Sequence, residues 1–335
     1  MAAGNFTPTI LADIQIKADN IWMDNMAKTA FIADTMAMKA IQEQQSAKVS
    51  VIETNKDVTA SISWIQDCEM EVSAVGSNDC IIDGPELETV SKNLEITQSI
   101  KTSFKVERKA LRNNMYEVSE IAAKGMLKAS KVLDEEVTRR AIAAINGFAG
   151  TNEYDGDLGV VQGSGDTHVA ALNWDTRLLP YLKLVAIKNR MNTPFMLTGV
   201  NYWYTDMDAE HNKGNSDGSG DYVRNQLIKR YYDLFNVELV NSGDLFSYLI
   251  NRGALAFASK TYNPSVPFTV PDPGQERYSI ESRNIPGLRY DVIYALKCIN
   301  DKLYDVWDFR AYFDFFLNPT GCTDTRTGVL RFKKV

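Results

Sequence analysis

The sequence predicts an α+β protein made of an N-terminal helical arm, a long strand ribbon, one long spine helix and a mixed α/β body. Three observations predict it. From Tyr116 to Asn146 there is no proline and one glycine, and apolar or small residues recur at helical steps: Val118, Ala122, Gly125, Ala129, Val132, Val137, Ala141 and Ile145. Before it, from Val49 to Glu107, the period is two, with Val58, Ala60, Ile62 and Trp64, then Cys68, Met70, Val72 and Ala74, then Ile96, Gln98 and Ile100 on alternate positions. After it, the C-terminal end reads as strands, at Tyr278–Ile280, Leu288–Cys298, Leu303–Phe316 and Val329–Lys333.

The arm begins at Thr7-Pro8, with proline at the first helical position, where its missing N–H costs nothing. Ile10, Leu11, Ile14, Ile21 and Trp22, then Met26, Ala30, Ala33, Met36, Ala37 and Ile41, read as one or two helices ending near Gln45. Nothing in this segment would hold it alone, so it is expected to pack on something else. The ribbon breaks at Thr54-Asn55, Gly76-Ser77-Asn78 and Asp83-Gly84-Pro85. Two or three isolated strands are barely stable in water, so a partner surface is expected to cover it. The spine helix is opened by Asn114 with Glu117 and stopped by Asn146-Gly147, and Glu120–Lys124, Glu135–Arg139 and Glu136–Arg140 brace its outer face.

A polar linker, Thr151 to Asp166, leads to a helix near Asp175–Arg190 and a short buried strand at Pro194–Gly199. Asn201 caps a helix with Tyr202 and Trp203, and His211–Gly220 is a flexible loop. Tyr222–Phe235 has Val223, Leu227, Tyr231 and Leu234 at helical spacing and is expected as a helix. Gly253–Ala258 is a buried strand, and four prolines make Pro264–Pro273 a loop.

Composition narrows the function. At 335 residues, 44% apolar and 24% charged, the chain can bury a real core. Its net charge of −7 disfavours nucleic-acid binding by the whole surface. The four cysteines, at 68, 80, 298 and 322, form no zinc spacing, and Cys68 and Cys80 flank a turn without facing each other. MAAGNFTPT has no basic-then-apolar pattern, so no signal peptide is expected, and no apolar run approaches the ~20 residues of a membrane span.

Candidate chemistry is sparse. Asp206 and Glu210, four apart on a predicted helix beside Asp208 and His211, read either as a divalent-cation site or as a solvated acidic helix end. The first reading would make the chain a metal-dependent hydrolase. There is no GxxxxGK[ST], GxGxxG or GxSxG, and nothing calls for a cofactor. Asn152–Asp157 has calcium-loop residue types without the spacing. Trp307, Phe309, Tyr312, Phe313, Phe315 and Phe316 are expected to fill the core on one side and meet a neighbour, or a sugar, on the other. Arg331-Phe332-Lys333-Lys334 reads as an exposed edge strand guarded by charge, or as a contact with nucleic acid.

The order of elements resembles the major capsid proteins of tailed bacteriophages, with the Hong Kong-type capsid fold. Lys128–Gly147 is similar to that family's spine-helix segment, Trp174–Leu182 through Phe195–Gly199 to the start of its axial domain, and Asn251–Ala258 to its strand returning to the peripheral domain. The resemblance implies a non-enzymatic subunit with no cofactor that assembles into pentamers and hexamers of an icosahedral head around double-stranded DNA, in the virion. An encapsulin-type compartment shell shares the fold. The implied parts are an arm at 1–48, an extended β-hairpin loop at 49–107, a peripheral domain at 108–171 and 253–335, and an axial domain at 172–252. Ile14, Trp22, Val58, Ile62, Trp64, Met70, Val72, Ile96 and Ile100 are then the expected contacts with identical subunits. The ribbon starts about 48 residues in, too early for a large scaffolding segment, so a separate scaffolding protein is implied. Portal and decoration proteins and weak contact with packaged DNA complete the implied partners.

Overall fold

The structure is a computed structural model and describes residues 8–24, 33–45, 48–53, 58–65, 89–108, 118–150, 160–162, 167–169, 171–203, 228–235, 246–260, 275–318 and 328–334. In chain order the elements are α1 (Pro8–Asp24), α2 (Met36–Gln44), β1 (Lys48–Glu53), β2 (Val58–Ile65), β3 (Thr89–Glu95), β4 (Gln98–Glu107) and α3 (Val118–Gly147). There follow β5 (Val160–Gln162), β6 (Thr167–Val169), α4 (Ala171–Lys188), β7 (Phe195–Gly199), β8 (Lys229–Asp233), β9 (Phe246–Ile250) and β10 (Leu255–Lys260). The last four are β11 (Gln275–Glu281), β12 (Arg289–Ile299), β13 (Lys302–Leu317) and β14 (Val329–Lys334). The chain divides into two compact units, one of residues 1–35, 96–138 and 259–314, the other of 36–95, 139–258 and 315–335.

The first unit is a sheet backed by helix. Its strands belong to a five-stranded sheet of order β10-β13-β12-β11, with β4 also on β13. Alternation sorts β13: Asp305, Trp307, Phe309, Ala311 and Phe313 are buried and the residues between them are not. Tyr290, Val292 and Tyr294 of β12 and Ile100 and Val106 of β4 are buried on the same side. The β12–β13 turn is two residues, Asn300 and Asp301, both at positive φ (51° and 59°), which matches strand twist in a tight hairpin. The 30-residue α3 runs ~45 Å and buries Ala122, Ala123, Met126, Leu127 and Leu133.

Gly125 sets how closely α3 approaches the sheet. A Cβ there would lie 2.5–2.8 Å from the Phe104 ring. That ring is stacked on Trp307 (6.1 Å) and Phe309 (6.0 Å), so it has no room to retreat. Gly125→Ala is expected to lower stability by about 1–3 kcal/mol through overpacking, against a gain of up to ~1 kcal/mol in helix propensity. The urea midpoint checks it, and a raised midpoint would show that the ring yields.

The second unit carries a six-stranded mixed sheet of order β5-β6-β14-β9-β7-β8 and a three-stranded antiparallel ribbon, β1-β2-β3. Leu178, Leu179, Leu182, Val185 and Ala186 of α4 pack with Met196, Leu249, Leu330 and Phe332 of the larger sheet. In the ribbon, Ile62 packs with Leu94, Ala256 and Phe316. The ribbon expected over 49–107 is three-stranded only to Glu95, because β4 pairs with β13 along Gln98–Glu107. Asp314 holds that junction, accepting from Thr97 N–H (3.1 Å), Thr97 Oγ1 (2.8 Å) and Gln98 Nε2 (3.1 Å).

Two expectations are corrected. The helix expected over Tyr222–Phe235 contains β8 instead, paired in parallel with β7. The three-four spacing misled because Tyr231 and Tyr232 are good strand formers and an open sheet edge was available. Nor is the basic tail an edge strand: β14 lies between β6 and β9, with Phe332 fully buried. Its charges take the opposite face, where Arg331 donates to Asn146 Oδ1 (2.5 Å) and Arg331 and Lys333 lie over Phe246.

Candidate assembly surfaces

The arm helix is tied down by its own unit. Ile14 and Ala18 are buried, Lys17 Nζ donates to Ser119 Oγ (2.7 Å), and Arg283 bonds Asp19. Two turns of the opposite face present Ile16 (58% exposed) and Met23 (71%), seven residues apart and so on one side of the helix. An amphipathic helix that buries one face and exposes apolar groups on the other is suited to a second contact.

α3 is pinned to the turn before β12 by Asp134, a fully buried carboxylate. Oδ1 accepts from Ser282 Oγ (2.7 Å) and Tyr290 Oη, and Oδ2 from Asn284 Nδ2 (2.7 Å) and, more weakly, Ser130 Oγ (3.5 Å). Ser282 Oγ in turn accepts the N–H groups of Asn284 and Ile285, so its own hydrogen is committed to Asp134. Burial pushes the Asp134 carboxyl up, and the hydrogen bonds from Tyr290, Asn284, Ser282 and Ser130 pull it part of the way back. A second buried carboxylate, Asp305, takes a two-pronged bond from Arg108 (2.9 and 2.8 Å) and the Tyr294 hydroxyl (2.5 Å). Burial and that bond to Asp305 push the Tyr294 hydroxyl well up.

In the second unit Asp233, at the end of β8, accepts from the Ala37 N–H at the start of α2 (2.9 Å) and from Phe235 N–H (2.8 Å). Glu43 at the other end of α2 accepts from Lys229 (2.5 Å) and Tyr231 (2.6 Å), which lowers its carboxyl. Val200 (41% exposed) and Leu234 (50%) follow the paired residues Gly199 and Asp233, so they stand side by side beyond one end of the sheet, with Trp203 (48%) one turn on.

The expected contact residues separate. Ile14, Ile62 and Ile100 are buried by their own chain, at 0, 2 and 8% exposure. Trp22 and Ile96 are half-buried. Val58 and Trp64 lie on β2, and Met70 and Val72 are outside the described residues. Of the terminal aromatics, Trp307, Phe309, Phe313 and Phe315 are buried, and Tyr312 and Phe316 are half-buried. Asp206, Asp208, Glu210 and His211 lie outside the described residues, as do Asn152–Asp157, Cys68, Cys80 and Cys322. Among the described residues no group of three His, Cys, Asp or Glu side chains is placed to hold a metal, and no helix is long and apolar enough to cross a membrane. Asp134 escaped the sequence reading, although an acid on the apolar stripe of α3, between Leu127 and Ala141, was the available signal.

No protein-family model matches the chain, and no curated protein matches it. Solved structures do. A chain from the cyanophage A-1(L) capsid asymmetric unit aligns over 89% of this chain and 93% of its own, with a TM-score of 0.51 at 12% identity. The capsid structure of cyanophage P-SCSP1u aligns over 85% of both chains (TM-score 0.47, 11% identity), and a structure from Mycobacterium phage Adephagia over 91% of both (0.48, 10%). The fold assignment rests on the first of these: this α+β chain has the phage capsid fold.

Proposed function

We propose that the chain is the major capsid subunit of a tailed bacteriophage, a structural protein without catalytic activity. It assembles with identical copies into pentamers and hexamers of an icosahedral head that encloses double-stranded DNA, and it resides in the virion. The observation that carries this reading is the end-to-end match of its fold to the cyanophage A-1(L) capsid chain. The exposed apolar stripe of α1, Ile16 and Met23, supports it, as does a ribbon whose described hydrophobic packing is one small cluster around Ile62. Stable shared interfaces of this kind bury upwards of ~2,000 Å².

In this reading the arm is 1–48, the extended loop 49–107, the peripheral domain 108–171 with 253–335, and the axial domain 172–252. Trp22, Ile96 and the ribbon side chains Val58, Trp64, Met70 and Val72 meet neighbouring copies. A separate scaffolding protein, a portal and decoration proteins are its partners during and after assembly.

Purified protein examined by negative-stain microscopy and sedimentation is expected to give closed shells, tubes, or free hexamers and pentamers. A monodisperse monomer under all assembly conditions would end this reading. The contents of purified particles separate a genome shell from a compartment shell: nucleic acid marks the first, a packaged enzyme the second.

A further inference from the structure

α4 has two apolar sides, and its sheet covers only one of them. Leu178, Leu179, Leu182, Val185 and Ala186 are buried against the sheet. Pro180, Leu184 and Ile187 follow one another at steps of four and three, so they form a single row on the opposite side. Ile187 is 62% exposed, Pro180 is exposed and Leu184 is half-buried. Helical geometry puts Lys183 on one flank of this row and Lys188 on the other. A row of this spacing is a seam for a second helix.

The border of the row is uniformly basic, in a chain whose net charge is −7. Between Asp175 and Asp206 there is no acidic residue, while Arg177, Lys183, Lys188 and Arg190 fall in that interval. On α4 and the strands of the six-stranded sheet the carboxylates are Asp175, near the helix start, and Asp233, which is fully buried and accepts two backbone N–H groups. Arg230 of β8 adds a cation on the α4 side of the sheet, since its alternate neighbours Ile228 and Tyr232 pack with that helix.

The end of the helix carries a second signal. Met191 N–H donates to the Ala186 carbonyl (2.8 Å) and Arg190 N–H to the Ile187 carbonyl (3.1 Å), the bond pair of a closing motif whose left-handed residue is usually glycine. Here that residue is Arg190, exposed and at φ 52°. A charged side chain is held where the backbone favours none.

We propose that the outer face of α4 is a docking surface for an acidic amphipathic helix of a different protein, with Ile187 and Leu184 as the apolar anchor and Lys183, Lys188 and Arg190 as the charged border. The proposal does not rest on the shell reading. An exposed isoleucine at the centre of a basic border has nothing to meet on a phosphate backbone, and a row one side chain wide is too narrow to enter a lipid surface. A partner with its own apolar stripe between carboxylates satisfies both features, and the charges set its orientation. The row spans only ~12 Å of helix, so one such contact is weak and gains by being repeated on many copies.

A designed peptide binding to the full-length chain tests it. The probe is a helix with leucines at i, i+3 and i+7 between glutamates; its controls are the lysine form, a scrambled peptide of the same composition, duplex DNA and vesicles of anionic lipid. By fluorescence anisotropy at about 0.15 M salt, the glutamate probe is expected to bind roughly tenfold or more tightly than either control peptide. K183Q/K188Q is expected to weaken it about tenfold, and R190G about threefold. I187S is expected to weaken it about tenfold by removing the anchor. R190G relieves the backbone, so its urea midpoint is expected at or above that of the wild type, and its weaker binding is then not a folding defect. Equal binding of the glutamate and scrambled probes would show charge alone at work and overturns the proposal, as does no binding to the wild type. Tighter binding of duplex DNA or of the vesicles than of the probe, unchanged by I187S, also overturns it and gives the face to that ligand.

Discussion

Asp134→Ala is expected to destabilise the chain by about 3–5 kcal/mol, since it strands the buried donors of Ser282, Asn284 and Tyr290 at once. Hydrogen exchange is expected to rise first in the Ser282–Leu288 turn and the adjoining part of α3. Unchanged protection there would mean that apolar packing alone holds the turn. Asp134→Asn keeps the size but turns an amide donor toward the Asn284 amide, so it too is destabilising.

The pH dependence has a definite sign. The folded carboxyl lies above its unfolded value because it is buried. Between those two values the folded state holds the extra proton, so stability from this group is greatest below the ordinary aspartate range and declines as pH rises through the folded value. Asp134→Asn has no such group. The wild type is therefore expected to exceed the Asn variant by most in acid, near pH ~4, and by progressively less toward neutrality. Urea unfolding of both proteins across that range measures it, and a gap that widens with pH would show the carboxylate to be favoured in its charged form. The titratable neighbours on the same elements are otherwise occupied: Lys131 with Glu135, Arg283 with Asp19, and Glu281 with the Gly287 N–H.

The second large effect belongs to Trp307. It is fully buried, the largest such side chain among the described residues, and its ring meets Tyr294 (4.7 Å) on one strand and Phe104 (6.1 Å) on another. Trp307→Ala is expected to cost about 3–5 kcal/mol, the transfer term plus a cavity between β12 and β4. Trp307→Phe should recover much of it by keeping the aromatic contacts. The urea midpoints of the two variants check this. If Trp307→Ala costs under ~1 kcal/mol, the sheet collapses around the gap and Phe104 is not held by the indole. In that case Gly125→Ala should also be mild, so the two measurements constrain one another.

The long helix and the terminal strands were legible because each carries its own period. Asn146-Gly147 is the expected stop of α3, which ends at Gly147; β12 and β13 fall within two residues of the expected runs. Periodicity failed where a short segment satisfied two patterns. Val223, Leu227, Tyr231 and Leu234 fit a helix, but Tyr231 and Tyr232 found an open edge of β7. The tail Arg331–Lys334 looked like a guarded edge because charge on alternate positions is also what one polar face of an interior strand requires. Apolar side chains in segments without an evident local partner read as contacts with other copies. Ile14, Ile62 and Ile100 have partners within the chain, from elements far away in sequence.

By itself the amino-acid order determined the long helix and the terminal strands, which face of each is apolar, and where glycine and proline break them, since these depend on neighbours within a few residues. Tertiary structure alone decided which strands lie side by side and that Asp134 would be sealed among hydroxyl and amide donors. Those outcomes depend on register between segments up to about two hundred residues apart, and no local pattern carries that information.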